Sequence, residues 1–183
     1  MKLSNKLIPL GLALLILISP SVFAMRSEIP PMYYVIAEEH RIPAKLFYAL
    51  ILNESKSRVS NNKVLPWPWT INHRGKPYYF QTKVDAYRFI KTLIEQGDRQ
   101  FDVGLGQLNW RWHENSFSGA WDALDPYINL TAAAKYLRKQ FDRQECHEWV
   151  LAIGCYHRPS QKKRDKQIAR NYATKVIRIW KKL

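Results

Sequence analysis

Acidic side chains are scarce in this chain of 183 residues: 15 Asp and Glu stand against 29 Lys and Arg, a formal net charge of +14. A surplus of that size points to an anionic partner. Nucleic acid is the usual candidate, but no nucleic-acid-binding motif is present. No His/Cys cluster has metal-ligand spacing, so no metal is expected, and nothing implies a cofactor. No serine sits in a nucleophile elbow. Repeats, low-complexity tracts and sustained βα alternation are all missing, which leaves one α-dominated domain.

Long apolar runs are also rare. Leu7 to Ile18 is the exception, behind Lys2 and Lys6 and ahead of Val22-Phe23-Ala24. This pattern reads as a secretion signal over residues 1–24, cut after Ala24. The run is too short to span a membrane comfortably, so a transmembrane anchor is the weaker alternative. Residues 25–183 would then carry 27 basic and 15 acidic side chains, a net +12. A basic exported protein suits an acidic envelope polymer or an anionic membrane surface, and export argues against nucleic acid.

Cysteine is limited to Cys146 and Cys155. An oxidising compartment invites a disulfide. However, His147 to His157 reads as one helix, which would part the two cysteines by roughly 13 Å. Bonded cysteines need Cα atoms within about 7 Å. No bridge between them is expected unless the helix breaks; an intermolecular bond stays open.

Phe47 to Ser57 organises what is present. As a helix it puts Phe47, Leu50, Ile51 and Glu54 on one face. A carboxylate ending an apolar stripe tends to keep its proton, which suits a general acid. The alternative is a helix-end Glu54 pointing to water. Before it, Met32 to Glu39 reads as a helix, and Pro43 fits the start of the next. Ser57 to Val64 reads as a polar loop.

Pro66-Trp67-Pro68-Trp69 bars a regular helix. Trp69 to Asn72 and Tyr78 to Gln81 flank His73-Arg74-Gly75-Lys76 as a hairpin. Trp67, Trp69, Tyr78, Tyr79 and Phe80 crowd it, either to stack on sugar rings at a cleft edge or to form a satellite core. Thr82 and Asp85 resemble a capping box, and Gly97 supplies a left-handed stop. In Gly104-Leu105-Gly106-Gln107 the third glycine of a phosphate loop is missing. The glycines instead suit close approach of backbone to a ligand, with Gln107 beside it. Asn129 reads as the N-cap of Leu130 to Phe141, with Tyr136 on its core stripe. Trp149, Ala152, Ile153 and Tyr156 line the next helix, and Gln167 to Lys182 forms a basic amphipathic one. Docking of this last helix on the core is favoured over membrane-surface contact.

Taken together, these residues resemble the lytic transglycosylases of the soluble type, which have a goose-type lysozyme-like fold. Glu54-Ser55 resembles the family's catalytic Glu-Ser. Gly104-Leu105-Gly106-Gln107 is similar to Gly-Leu-Met-Gln. Asn129 followed by Tyr136-Leu137 resembles Asn…Gly…Tyr-Leu, and Tyr156-His157 stands where the family has Ala-Tyr-Asn…Gly. Residues 66–101 resemble the insertion of one branch. The chain departs from the family at Gly106 (Met), Ala133 (Gly), Cys155 (Ala), His157 (Asn) and Pro159 (Gly).

The resemblance implies a mainly α, lysozyme-like single domain over 25–183 with a small β-hairpin insertion. It implies periplasmic cleavage of peptidoglycan glycan strands between N-acetylmuramic acid and N-acetylglucosamine, closing a 1,6-anhydro ring. Glu54 would be the one catalytic acid and base. Ser55, Gln107, Asn129, Tyr136, Tyr156 and His157 would contact or position sugars, with Trp69 and Tyr79 of the hairpin as further contacts. Such proteins accompany envelope-spanning secretion, conjugation or flagellar machines. Asp102 and Glu114 are the candidates for a second acid. A hydrolysing muramidase and a non-catalytic glycan-binding assembly factor are the alternatives.

Overall fold

The computed structural model describes residues 29–58 and 63–183. The expected secretion signal and its cleavage point lie outside them. Helix dominates. Pro31–Glu39 (α1) and Ala44–Ser55 (α2) open the chain, with Pro43 just ahead of α2. α1 buries Tyr33, Ile36 and Ala37, the face expected from their spacing. In α2 every residue from Leu46 to Ile51 is buried, because α1, the C-terminal helix and the strand at 64–66 pack against it.

The expected loop after α2 is instead flanked by a short antiparallel ladder, Lys56–Arg58 (β1) against Val64–Pro66 (β2). Proline is tolerated at such an edge because its missing N–H leaves no ladder bond unmade. Thr70–His73 (β3) and Lys76–Tyr79 (β4) form the expected hairpin. Arg74 and Gly75 turn it with φ of 52° and 85°, the pair of left-handed residues that a two-residue hairpin needs.

Lys83–Glu95 (α3) follows. The Thr82 side chain accepts from the Asp85 N–H, and Gly97 leaves the helix at φ 74°. Phe101–Val103 (β5) and Leu108–Asn109 (β6) complete a four-stranded antiparallel sheet in the order β4-β3-β5-β6. Two short helices, Trp110–His113 (α4) and Ala120–Ala123 (α5), lead into Pro126–Phe141 (α6). Trp149–His157 (α7) and Lys163–Trp180 (α8) finish the fold.

The described residues form two apolar cores. The larger joins α1, α2, α6, α7 and α8 around Phe47, Leu50, Leu130 and Ile153. The smaller joins the sheet and α3 around Ile71, Ile90, Phe101 and Leu124. The aromatic hairpin belongs to the smaller one: Tyr78 and Phe80 pack on Phe89, and Trp69 is half-buried against the same cluster. α8 docks on α2 and α7, burying Tyr172, Ala173 and Val176, so its apolar stripe is spent on the core.

Two expectations need correction here. Asn129 caps nothing. α6 begins three residues earlier, at Pro126, and the Asp125 side chain accepts from the N–H groups of Tyr127 and Ile128. Cys146 and Cys155 are joined in a disulfide, with Cα atoms 6.5 Å apart. The helix does not reach back to His147. It starts at Trp149, Glu148 is extended, and Cys146 lies in a separate 3-10 turn that folds back on α7. Closing so short a loop stabilises by about 2–3 kcal/mol in a chain-entropy account. A Cys146→Ser/Cys155→Ser variant is therefore expected to lose about that much in denaturant unfolding.

Candidate active site

A cleft of about 710 Å³ lies between the two cores. α2 brings Glu54 to it, α6 brings Tyr136 and Lys139, and α7 brings Tyr156 and His157. The sheet supplies the facing wall. Ile71 and Val103 point into the small core, so period-two alternation turns their neighbours Asn72 and Asp102 the other way. Asn72 pairs with Asp102 and Asp102 with Asn109 across β3, β5 and β6, and all three line the cleft.

Glu54 sits one residue before the end of α2, where the apolar stripe meets this opening. Tyr172 of α8 donates its hydroxyl to Glu54 Oε1. Burial pushes the Glu54 carboxyl up from its ordinary 4.5 to about 7. The Tyr172 bond opposes that rise and the nearby Asp102 charge adds to it. Glu54 thus holds its proton near neutrality, and Tyr172 occupies Oε1, which leaves the proton to the other oxygen. Burial and the Glu54 charge keep the Tyr156 and Tyr172 phenols protonated. The His157 ring stacks on Tyr172 at 4.3 Å, nearly parallel. Burial, then Arg158 and Lys175, hold that imidazole toward its neutral form.

The other predicted residues divide by role. Gln107 lines the cleft in a left-handed conformation (φ 46°), and its Nε2 donates to the carbonyls of Thr70 and Gly104. Tyr156 donates its hydroxyl to the Gly106 carbonyl at 2.7 Å, and its ring meets Tyr136 at 5.1 Å. Asn129 is buried behind the cleft: its Oδ1 accepts from the Gly106 N–H, and its Nδ2 donates to the carbonyls of Val103 and Ala123. It shapes the 103–106 turn and does not line the cleft. Ser55 is fully buried and donates to the Ile51 carbonyl. Trp69 and Tyr79 lie away from the cleft lining; Tyr79 is exposed and donates to the Lys56 carbonyl at 3.4 Å.

Of the two candidate second acids, Glu114 is paired with Arg99 at the surface and lies outside the cleft. Asp102 is inside it. Asn109 donates to Asp102 Oδ1 at 2.8 Å, and burial pushes the Asp102 carboxyl up. Sequence reasoning missed Tyr172 as the partner of Glu54, because an inward tyrosine on an amphipathic helix looks like core. It also missed Asn72, whose buried Oδ1 has no hydrogen-bond partner among the described residues. The alternation about Ile71 could have placed it.

The departures at Gly106 and Ala133 meet in space. A Cβ on Gly106 would stand 2.6 Å from the Ala133 Cβ and 3.0 Å from the Tyr156 hydroxyl. Backbone at 106 therefore approaches α6 as closely as it does because no side chain intervenes. Gly106→Ala is expected to cost about 1–3 kcal/mol by overpacking. Adding Ala133→Gly should recover part of that, giving a coupling of about 1 kcal/mol in a double-mutant cycle read by denaturant unfolding.

No protein-family model, curated protein or solved structure matches this chain.

Proposed function

We propose that the chain is a peptidoglycan lytic transglycosylase with a lysozyme-like fold, and that Glu54 is its acid and base. One feature carries this reading: Glu54, whose carboxyl burial pushes up to about 7, lines a cleft of about 710 Å³. Burial, with the Asp102 charge adding to it, supplies a proton donor at neutral pH. In the reaction Glu54 gives its proton to the glycosidic oxygen as the bond to the muramoyl C1 breaks. The ionised Glu54 then takes the proton of the muramoyl C6 hydroxyl, whose oxygen closes on C1. The 1,6-anhydro ring forms, Glu54 regains its proton, and no water is consumed. The Tyr172 hydroxyl stabilises the ionised carboxylate between the two transfers. Gln107 and Tyr156 fix the 104–107 turn as a wall for the sugars.

A hydrolysing muramidase is the second reading, because Asp102 lines the same cleft. Hydrolases use two carboxyls about 5–9 Å apart, the second ionised as base or nucleophile. Asp102 fits that role less well, since burial raises its carboxyl and Asn109 occupies one oxygen. Digestion of purified sacculi tests the proposal. Soluble muropeptides with anhydro ends are expected from the unaltered chain, and sacculi left intact would refute it.

The acid role also fixes the pH profile. Glu54 must be protonated at the start of each turnover, so kcat/KM should be level below about 7 and fall about tenfold per pH unit above it. Tyr172→Phe removes the bond that favours the ionised form. The alkaline limb should then move to higher pH, which a rate–pH series reads directly.

A further inference from the structure

Tyr172, the partner of Glu54, borders a second cavity. That cavity holds about 440 Å³, and Asn53, Lys56, Asn171 and Lys175 line it together with the phenol. Close packing therefore does not hold the ring on that side. At its other end the hydroxyl donates to Glu54 Oε1, and the Asn53 side chain meets the same hydroxyl. His157 lines both this cavity and the main cleft, so its ring stands where the two approach. It lies on the Tyr172 ring with 4.3 Å between centroids and 5° between planes. Gly154 lets α7 come close enough to α8 for this stack: a Cβ there would stand 3.1 Å from the Ala169 carbonyl oxygen.

A phenol beside open space can rotate off its acceptor unless something covers its face. His157 is the group on that face, and stacked rings attract beyond the area they bury. We propose that His157 is a positioning residue, which holds the Tyr172 phenol on Glu54 by stacking against it. The clamp acts through the ring and not through charge, because burial, then Arg158 and Lys175, hold the imidazole toward its neutral form. The Tyr172 bond favours the ionised carboxyl, so a loosened phenol lets the Glu54 titration rise. The other charged and titratable groups around the pair are Lys56 after α2, Asp102 of β5, Lys139 of α6, Tyr156 and Arg158 of the α7 end, and Lys175 of α8. All of them stay in place when residue 157 alone is changed. This assignment rests on the reading of Glu54 as the acid and adds the residue that keeps its partner in place.

Carbon-13 NMR titration of the Glu54 carboxyl in the free protein, its signal assigned by its loss in Glu54→Gln, tests the clamp without substrate. The titration should rise by about one pH unit in Tyr172→Phe, the size of a lost hydrogen bond to a charged group, and by about half a unit in His157→Ala. His157→Asn should rise as His157→Ala does, since it is polar but has no ring. His157→Phe keeps a flat ring and should stay within about 0.2 unit of the unaltered protein. In a Tyr172→Phe background His157→Ala should add nothing, because the bond it loosens is already gone. An unchanged or lowered titration in the two ringless variants overturns the proposal. So does a rise in His157→Phe equal to that in His157→Ala, or a rise that persists in the Tyr172→Phe background. Rates on sacculi give a second readout: the alkaline limb of kcat/KM should move up in His157→Ala. A raised KM with the limb unmoved would mean that His157 touches sugar instead of steadying the phenol, and overturns the clamp. If the unaltered protein cuts no strand, the glycan-cleaving reading fails, and the NMR titration alone decides the clamp.

Discussion

Glu54→Gln is expected to lower muropeptide release by about 10³-fold or more, because one group performs both proton transfers and Gln performs neither. Retention on sacculi should stay close to that of the unaltered chain, since the amide keeps the shape of the carboxyl. Stability gives an independent check. The folded-state carboxyl titrates at about 7 against an ordinary 4.5, so the folded chain binds the proton more tightly than the unfolded one. Its burial therefore weakens the fold as pH rises from about 4.5 through 7, and the penalty persists above. Gln carries no such penalty. The variant should be more stable than the unaltered chain by roughly 2 kcal/mol at pH 8 and equal to it at pH 4, read from denaturant midpoints. A loss of activity with no stability gain at high pH would mean that Glu54 is not held near neutrality.

Asn129→Ala should have the largest effect on the fold. Its side chain makes three buried hydrogen bonds, one from the Gly106 N–H and two to the carbonyls of Val103 and Ala123. Removing it leaves those three backbone groups without that partner in the buried interior and opens a small cavity. Each unsatisfied group costs about 1–3 kcal/mol, so a total on the order of 3–5 kcal/mol is expected. That corresponds to about 10 °C in melting temperature for a domain of this size. The damage should reach the cleft, because Asn129 holds the turn that Gln107 and Tyr156 also bind. Asn129→Asp separates the effects. Its oxygens can still accept from Gly106 but cannot donate to the two carbonyls, and it should be at least as destabilising. A change under 1 kcal/mol for Asn129→Ala would show that the turn does not depend on this clamp.

The helices were legible where a single local signal sufficed. The stripe of Tyr33, Ile36 and Ala37, the capping box at Thr82 and the stop at Gly97 each act within one or two turns of chain. Asn129 misled because a good capping residue was weighed without the stronger pair before it: Asp125 caps, and Pro126 fits the first turn. The disulfide misled for a related reason. Spacing along an assumed helix excludes a bridge, but the helix starts two residues later than assumed, and the chain doubles back ahead of it.

The site was legible in part. Glu54, Gln107, Tyr136, Tyr156 and His157 all line one cleft. Tyr172 comes from 118 residues further along the chain, and only tertiary packing shows that it serves the carboxylate and not the core alone. Trp69 and Tyr79 had no local signal to separate stacking on a ligand from packing on the protein. Both lie outside the cleft lining, and Trp69 packs against the smaller core. The sheet wall was hidden because β5 and β6 are so short that their alternation covers only five residues, Phe101 to Val103 and Leu108 to Asn109.

The central claim is that Glu54 serves both proton transfers and that water takes no part. Digestion of peptidoglycan in water enriched in heavy oxygen, followed by mass measurement of the muramoyl ends, tests it most directly. The account predicts ends lighter than a reducing sugar by one water and free of heavy oxygen. Reducing ends carrying heavy oxygen would contradict it and would transfer the second role to Asp102 as the base or nucleophile of a hydrolase.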